Sequence, residues 1–358
     1  MKKILILCLS LFLMVGCSQN KNEIKEDSTG EEATMNSLDD TYYKIIKSDP
    51  SELRDSYYTD FYSTKDFDTI GRDLQILSSE YFSTSKYYMG EGQYFGADEK
   101  KALLLRNTKT EYSIQPESGT TIEDVENPIM VANIHEQDYY VKDGSSYVLK
   151  GISLAIVVDP KDQNNNTLTT PMSDATIKEY GKGCISKVYD YIQKAEAMQD
   201  IKDLPILIAI YQGTDTTRST VDGRYIYDCY CHKEIGTIKE LNHRNVIFTS
   251  SEAEDIDKTT YSEFNEIKNS LKNAATEAAG LVGEAKYIND EIQSMVINAN
   301  LNIKTITELQ YLTSLLADNI DTKFTYDFDI KVLVNSQDGL KAVIIKDKGQ
   351  SAKSSIFD

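Results

Sequence analysis

The sequence predicts an α+β body built from two divergent strand–helix–strand repeats. Two continuous apolar runs, Ile152 to Val158 and Pro205 to Tyr211, have the length and composition of strands covered on both faces. Between them Ile177, Tyr180, Cys184, Val188, Tyr191, Ile192 and Ala195 recur at helical spacing, with Ser173 placed to cap. The same order returns near the C-terminus, where Met295, Ile297, Ala299 and Leu301 alternate ahead of a second helical pattern.

That second helix carries Ile306, Leu309, Leu316 and Ile320 on one face and opens with a Thr305…Glu308 capping box. Phe324, Tyr326, Phe328, Ile330, Val332 and Val334 then alternate as a strand, and Leu340 to Ile345 supplies another. Ser336-Gln337-Asp338-Gly339 is the hairpin turn between the two. A further helix, with Tyr261, Phe264, Ile267, Leu271, Ala274 and Ala278 on its face and Thr260…Glu263 as its box, joins the halves. Gly90-Glu91-Gly92-Gln93-Tyr94 resembles Gly283-Glu284-Ala285-Lys286-Tyr287, and each segment precedes one strand–helix–strand unit. The pair places pseudo-repeats near 86–213 and 281–346 within a body of residues 39–358, the first copy carrying an insertion of roughly 107–150.

The N-terminus reads as an export signal. Lys2 and Lys3 precede an apolar run from Ile4 to Val15, closed by Gly16-Cys17 and then an abruptly polar stretch. The run is too short to span a bilayer, which takes ~20 apolar residues. A cysteine directly after the small residue makes this a lipoprotein signal: 1–16 are cut away and the Cys17 thiol takes a diacylglycerol. Met14 stands where Leu is preferred, and its similar bulk slows processing without abolishing it. Residues 17–38 are charged and small, an acidic tether lifting the body off the membrane. The body is therefore expected outside the cytoplasmic membrane, on its outer face. Its processing partners are a prolipoprotein lipid transferase and a signal peptidase.

The chain holds 38 basic and 57 acidic side chains, a net charge of −19. So acidic a surface offers phosphates no counter-charge and excludes nucleic-acid binding. There are 24 Tyr and no Trp, with doublets at Tyr42-Tyr43, Tyr57-Tyr58, Tyr87-Tyr88 and Tyr139-Tyr140. They either line a ligand groove or replace Trp and Phe as half-buried packing, and packing is the ordinary role.

Catalytic chemistry has little to rest on. The three His (135, 232, 243) lie in no nucleophile–base context. With 57 carboxylates, acid pairs discriminate nothing. Cys229-Tyr230-Cys231-His232, with His243 beyond, is the one candidate metal cluster, but two thiols at i and i+2 without a second pair predict no zinc. Cys184 either pairs with Cys229 or Cys231 as a disulfide or the thiols stay free. No enzyme activity, cofactor or metal is expected.

Several blocks together resemble the CamS family of sex-pheromone precursor lipoproteins of Gram-positive bacteria. They are Ser83-Thr84-Ser85-Lys86-Tyr87-Tyr88 leading into GEGQYF, Asn127-Pro128-Ile129 with Glu136-Gln137-Asp138-Tyr139, Leu204-Pro205-Ile206, GLVGEAKY at 280–287, Leu309-Gln310-Tyr311 and KAVIIKDKG at 341–349. The resemblance runs over most of the chain and implies two related α+β repeats. It also implies that an apolar octapeptide, here Leu9 to Gly16, is trimmed from the discarded signal peptide and secreted as a mating signal. The separate expectation from the residues alone is an extracytoplasmic body that binds a ligand or partner.

Overall fold

Both continuous apolar runs become strands of one sheet, and the C-terminal alternating segments become strands of another. The computed structural model describes residues 31–32, 40–54, 67–106, 111–214, 221–275 and 279–357. The signal peptide, Cys17 and nearly all of the tether lie outside these residues, as do Tyr57, Tyr58 and Ala278.

The described chain begins with β1 (Glu31–Glu32), β2 (Lys44–Lys47), helix α1 (Phe67–Ser79), β3 (Tyr88–Glu91) and helix α2 (Ala97–Leu104). A small ribbon, β4 (Thr121–Ile122) and β5 (Val125–Glu126), leads into the long hairpin of β6 (Ile129–Asp143) and β7 (Ser146–Lys161). Helix α3 (Asp174–Lys194) crosses to β8 (Ile206–Gln212), and β9 (Arg224–Cys231) and β10 (Lys239–Glu240) follow. The second half runs β11 (His243–Phe248), α4 (Ser251–Ile256), α5 (Lys258–Ala274), β12 (Ala279–Ile288) and β13 (Glu291–Leu301). It ends with α6 (Ile306–Lys323), β14 (Asp329–Ser336), β15 (Gly339–Lys346) and β16 (Lys353–Ile356).

The first sheet has eight strands in the order β1-β2-β3-β6-β7-β8-β9-β10, and the second has β11 to β16 in chain order. In the first, β3–β6 and β6–β7 are antiparallel, β7–β8 is parallel and β8–β9 antiparallel. In the second, β11–β12 and β12–β13 are antiparallel, β13–β14 is parallel and β14–β15 antiparallel. Five strands of each sheet thus share one order and one succession of senses. Each parallel step needs a crossover, supplied by α3 in one sheet and α6 in the other.

This topology corrects the way the two halves align. Gly90-Glu91 lies on β3, the first strand of its five, whereas Gly283 to Tyr287 lies on β12, the second. The two GE segments are therefore not equivalent positions, because five residues carry too little information to set a strand register. Nor is 107–150 an insertion: it contains all of β6 and the start of β7, whose hairpin occupies the position that β12 and β13 hold in the other sheet.

Local details also differ. The strand expected from Phe324 begins only at Asp329, because the chain bends after α6; Phe328 is buried and Tyr326 exposed. Helix α5 is capped by Asp257, whose Oδ1 accepts from Thr260 N at 3.0 Å, so Thr260 lies inside the helix. At α6 the hydroxyl of Thr305 accepts from Glu308 N at 3.1 Å, as expected, but Glu308 reaches back to Lys304 N at 2.8 Å. Ser173 caps α3 through Thr176 N.

Strand alternation sorts the cores. Ile152, Leu154, Ile156 and Val158 of β7 face α2 and α3, with Ile206, Ile208 and Ile210 of β8 beside them. Ala155, Val157, Leu207 and Ala209 point the other way, against α1 through Ile70, Leu74 and Leu77. The first sheet is thus covered on both faces. The second packs Met295, Ile297, Val332 and Ile344 against Phe264 and Ile267 of α5 and Leu312 and Leu316 of α6. Among the described residues no helix is long and apolar enough to cross a membrane.

Candidate functional site

Two of the sequence blocks that lie far apart in the chain, GEGQYF and Glu136-Gln137-Asp138-Tyr139, meet where β3 pairs with β6. The register sets Gly90 opposite Asp138 and Glu91 opposite Gln137. Alternation then divides β6 into two faces, with Glu136, Asp138 and Tyr140 towards α2 and His135, Gln137 and Tyr139 towards α1.

On the α2 side both carboxyl groups are buried, Glu136 at 2% exposure and Asp138 at 0%. The chain after β3 turns its amides onto them. Glu136 accepts from Tyr94 N at 3.1 Å and Phe95 N at 3.0 Å, while Gln93 N donates to Asp138. The Tyr140 hydroxyl donates to Asp138 Oδ2 at 3.3 Å. Gly96 N, at the N-cap of α2, is taken by Glu99 Oε2 at 2.9 Å. A side chain on Gly92 would overlap Glu136, which accounts for glycine there. Burial pushes Glu136 up from the usual carboxylate range against the pull of the Phe95 and Tyr94 amides. Burial and then the adjacent Glu136 push Asp138 well above it. Two acids recurring at i and i+2 between Ile134 and Tyr140 were the available signal, lost among so many carboxylates.

On the α1 side Gln137 Nε2 donates to Gly71 O at 2.8 Å, and the Tyr139 hydroxyl donates to Gln137 Oε1 at 3.0 Å. Tyr139 is fully buried, stacked on Phe82 and tilted against Tyr43, whose hydroxyl donates to Phe82 O. Of the tyrosine doublets, Tyr43 and Tyr139 are core, Tyr140 packs with Ile46 and Tyr147, and Tyr42 lies under Arg72. For these described tyrosines packing, rather than a shared groove, is the role.

The cysteine cluster separates for the same reason of alternation. Cys229 and Cys231 share the buried face of β9 with their Sγ atoms 3.6 Å apart, whereas His232 is exposed beyond the strand. His243 begins β11 in the other sheet. Cys184, Cys229 and Cys231 are free thiols. Among the described residues no three His, Cys, Asp or Glu side chains converge as a metal site.

Among the described residues, concavities lie against α3 and at the β15–β16 edge. The first, of about 350 Å³, lies between Ile114, Ile122, Tyr180, Cys184 and Lys187. The second, of about 490 Å³, is bounded by Val343, Ile345, Lys353 and Phe357.

The two-sheet arrangement is that of solved sex pheromone precursors. It resembles the crystal structure of the sex pheromone precursor from Lactobacillus salivarius subsp. salivarius with a TM-score of 0.80 and 21% identity, covering 92% of this chain and 99% of that one. It also resembles the C-terminal domain of the sex pheromone staph-cAM373 precursor from Staphylococcus aureus, with a TM-score of 0.66 and 21% identity, covering 82% and 96%. No curated protein sequence matches the chain. Residues 49–352 match the family model described as CamS sex pheromone cAM373 precursor, and the chain belongs to that family.

Proposed function

We propose that this protein is a membrane-anchored lipoprotein whose discarded signal peptide yields a secreted hydrophobic signalling peptide. The observation that carries this reading is the joining of a Lys2-Lys3, Ile4 to Val15, Gly16-Cys17 leader to a body of the pheromone-precursor family. Gly16 and Cys17 flank the cut, Cys17 carries the lipid, and Leu9 to Gly16 is the released octapeptide. Two acyl chains or more hold such a protein stably where one alone is marginal. The body then stands on the outer face of the membrane, with the bilayer as its partner through the anchor. It acts as no enzyme and needs no cofactor.

Radioactive palmitate tests the anchor, and synthetic LSLFLMVG tests the signal. Wild type should be labelled and cleaved, and Cys17→Ser neither; normal labelling of the variant overturns the anchor. The peptide should induce a mating response in suitable recipient cells at low concentration, and silence in all of them overturns the signalling role. The concavity against α3 favours a second reading, in which the body binds an apolar ligand and the peptide is incidental. That reading is preferred if the peptide is silent and an Ile122→Asp variant loses a bound lipid or peptide that copurifies with wild type.

A further inference from the structure

The carboxyl groups of Glu136 and Asp138 sit side by side on one buried face of β6 and hydrogen-bond to one another. A carboxylate only accepts, so two ionised groups cannot make that bond. Asp138 Oδ1 is fully buried, and no N–H or O–H group of the described residues around it donates to it. A buried acceptor left without a donor is costly, and a proton on it turns it into the missing donor.

We propose that Glu136 and Asp138 share one proton, and that this proton latches residues 92–96 and the start of α2 onto the first sheet. With the proton in place the pair carries a single negative charge. That charge faces the amides of Gln93, Tyr94 and Phe95, which converge on it ahead of the helix N-terminus. When a hydroxide or a buffer base takes the proton, the O–H bond of the carboxyl group breaks and water or the protonated base leaves. Two like charges then face each other with no donor between them. The segment that covers them, 92–96, must open to admit water.

Among the described residues the surrounding groups do not supply a compensating cation. On β6 itself Tyr140 donates to Asp138, and from the turn Tyr94, held neutral by burial, faces both acids. From α2, Glu99 adds a further negative charge, and Asp200, beyond α3, bears on Tyr94. From β7, Ile152 and Leu154 lie opposite Asp138 and Glu136 in register, and Tyr147 packs with Tyr140. Arg54 is bound to Glu91, whose carboxylate also takes Ser51 N. Both acids are held above their ordinary range, so the pair keeps its one proton and the latch is closed around neutral pH, and it opens as alkaline pH removes that proton.

The test is site-resolved hydrogen exchange of the wild-type chain from residue 18 onward, corrected for intrinsic rates, at about pH 6 and about pH 9. Protection of the Gln93, Tyr94 and Phe95 amides should fall by about tenfold or more, with core amides such as Ile208 unchanged. Asp138→Asn, a neutral stand-in for the protonated acid, should hold the same amides to within about twofold across that range. An equal fall in the variant, or no fall in wild type, overturns the latch. Carbon-13 carboxyl shifts of wild type give a reading that needs no variant. One proton should remain on the pair at neutral pH, and two ordinary titrations at about pH 4 refute it.

Discussion

Lys286 on β12 forms an ion pair with Asp73 on α1, across 213 residues of chain. The two groups join the first sheet's covering helix to the second sheet. Beside them Asn245 of β11 donates to the carbonyl of Gly223 at 2.5 Å. Asp73 is buried, so the pair is more than a surface contact.

Removing only the cation strands that carboxylate. Lys286→Met is expected to destabilise the fold by about 2–3 kcal/mol, read from the denaturant midpoint. Adding Asp73→Asn should recover part of the loss. Strict additivity of the two changes would mean that the groups do not interact in solution.

Gly92 has no room for a β-carbon because Glu136 occupies that space. Gly92→Ala should cost about 1–3 kcal/mol, the ordinary penalty of overpacking. Gly183 lies open on α3 and provides the control, since Gly183→Ala should stabilise slightly. Equal effects at both positions would contradict the packing described.

Burial pushes His135 down to about 4. In the unfolded chain a histidine takes its proton near pH 6.5. The stability tied to neutral His135 is therefore complete above about 6.5 and lost as pH falls through about 4. His135→Gln should lose less melting temperature than wild type between about pH 7 and about pH 4.5. Parallel acid profiles would show that the imidazole titrates freely.

Asp257 ties α5 to the second sheet, capping Thr260 N and accepting from the Tyr287 hydroxyl at 3.1 Å. Asp257→Ala should cost about 1–2 kcal/mol, more than a cap alone, because buried Tyr287 also loses its acceptor. A Tyr287→Phe background should reduce that cost. If it leaves the cost unchanged, the tyrosine contact contributes nothing.

Burial pushes the Cys184 thiol up to about 12, and the Cys231 contact, then burial, raises Cys229. The same contact lowers Cys231, so its protection rests on burial alone; with all three side chains closed off from solvent, a thiol reagent should leave Cys184, Cys229 and Cys231 unlabelled in the native protein. All three should react after denaturation without reductant. Rapid native labelling, or fewer than three reactive thiols in denaturant, would contradict the free and buried assignment.

Sequence by itself determined the elements with strong local signals. The apolar runs at 152–158 and 205–211 had the length and composition of covered strands, and Ser173 and Thr305 marked helix starts through their own short-range hydrogen bonds. The family resemblance likewise rested on blocks readable in one dimension. Tertiary structure decided what local signals do not encode. The partner of a strand depends on contacts tens of residues away in the chain, so Gly90 opposite Asp138 could not be read from either block. The same limit misaligned the GE segments and made a core hairpin look like an insertion. A carboxylate's role is set by its burial and by which amides face it. Only pairing β3 with β6 and turning 93–95 back over them singled out Glu136 and Asp138 among 57 acids.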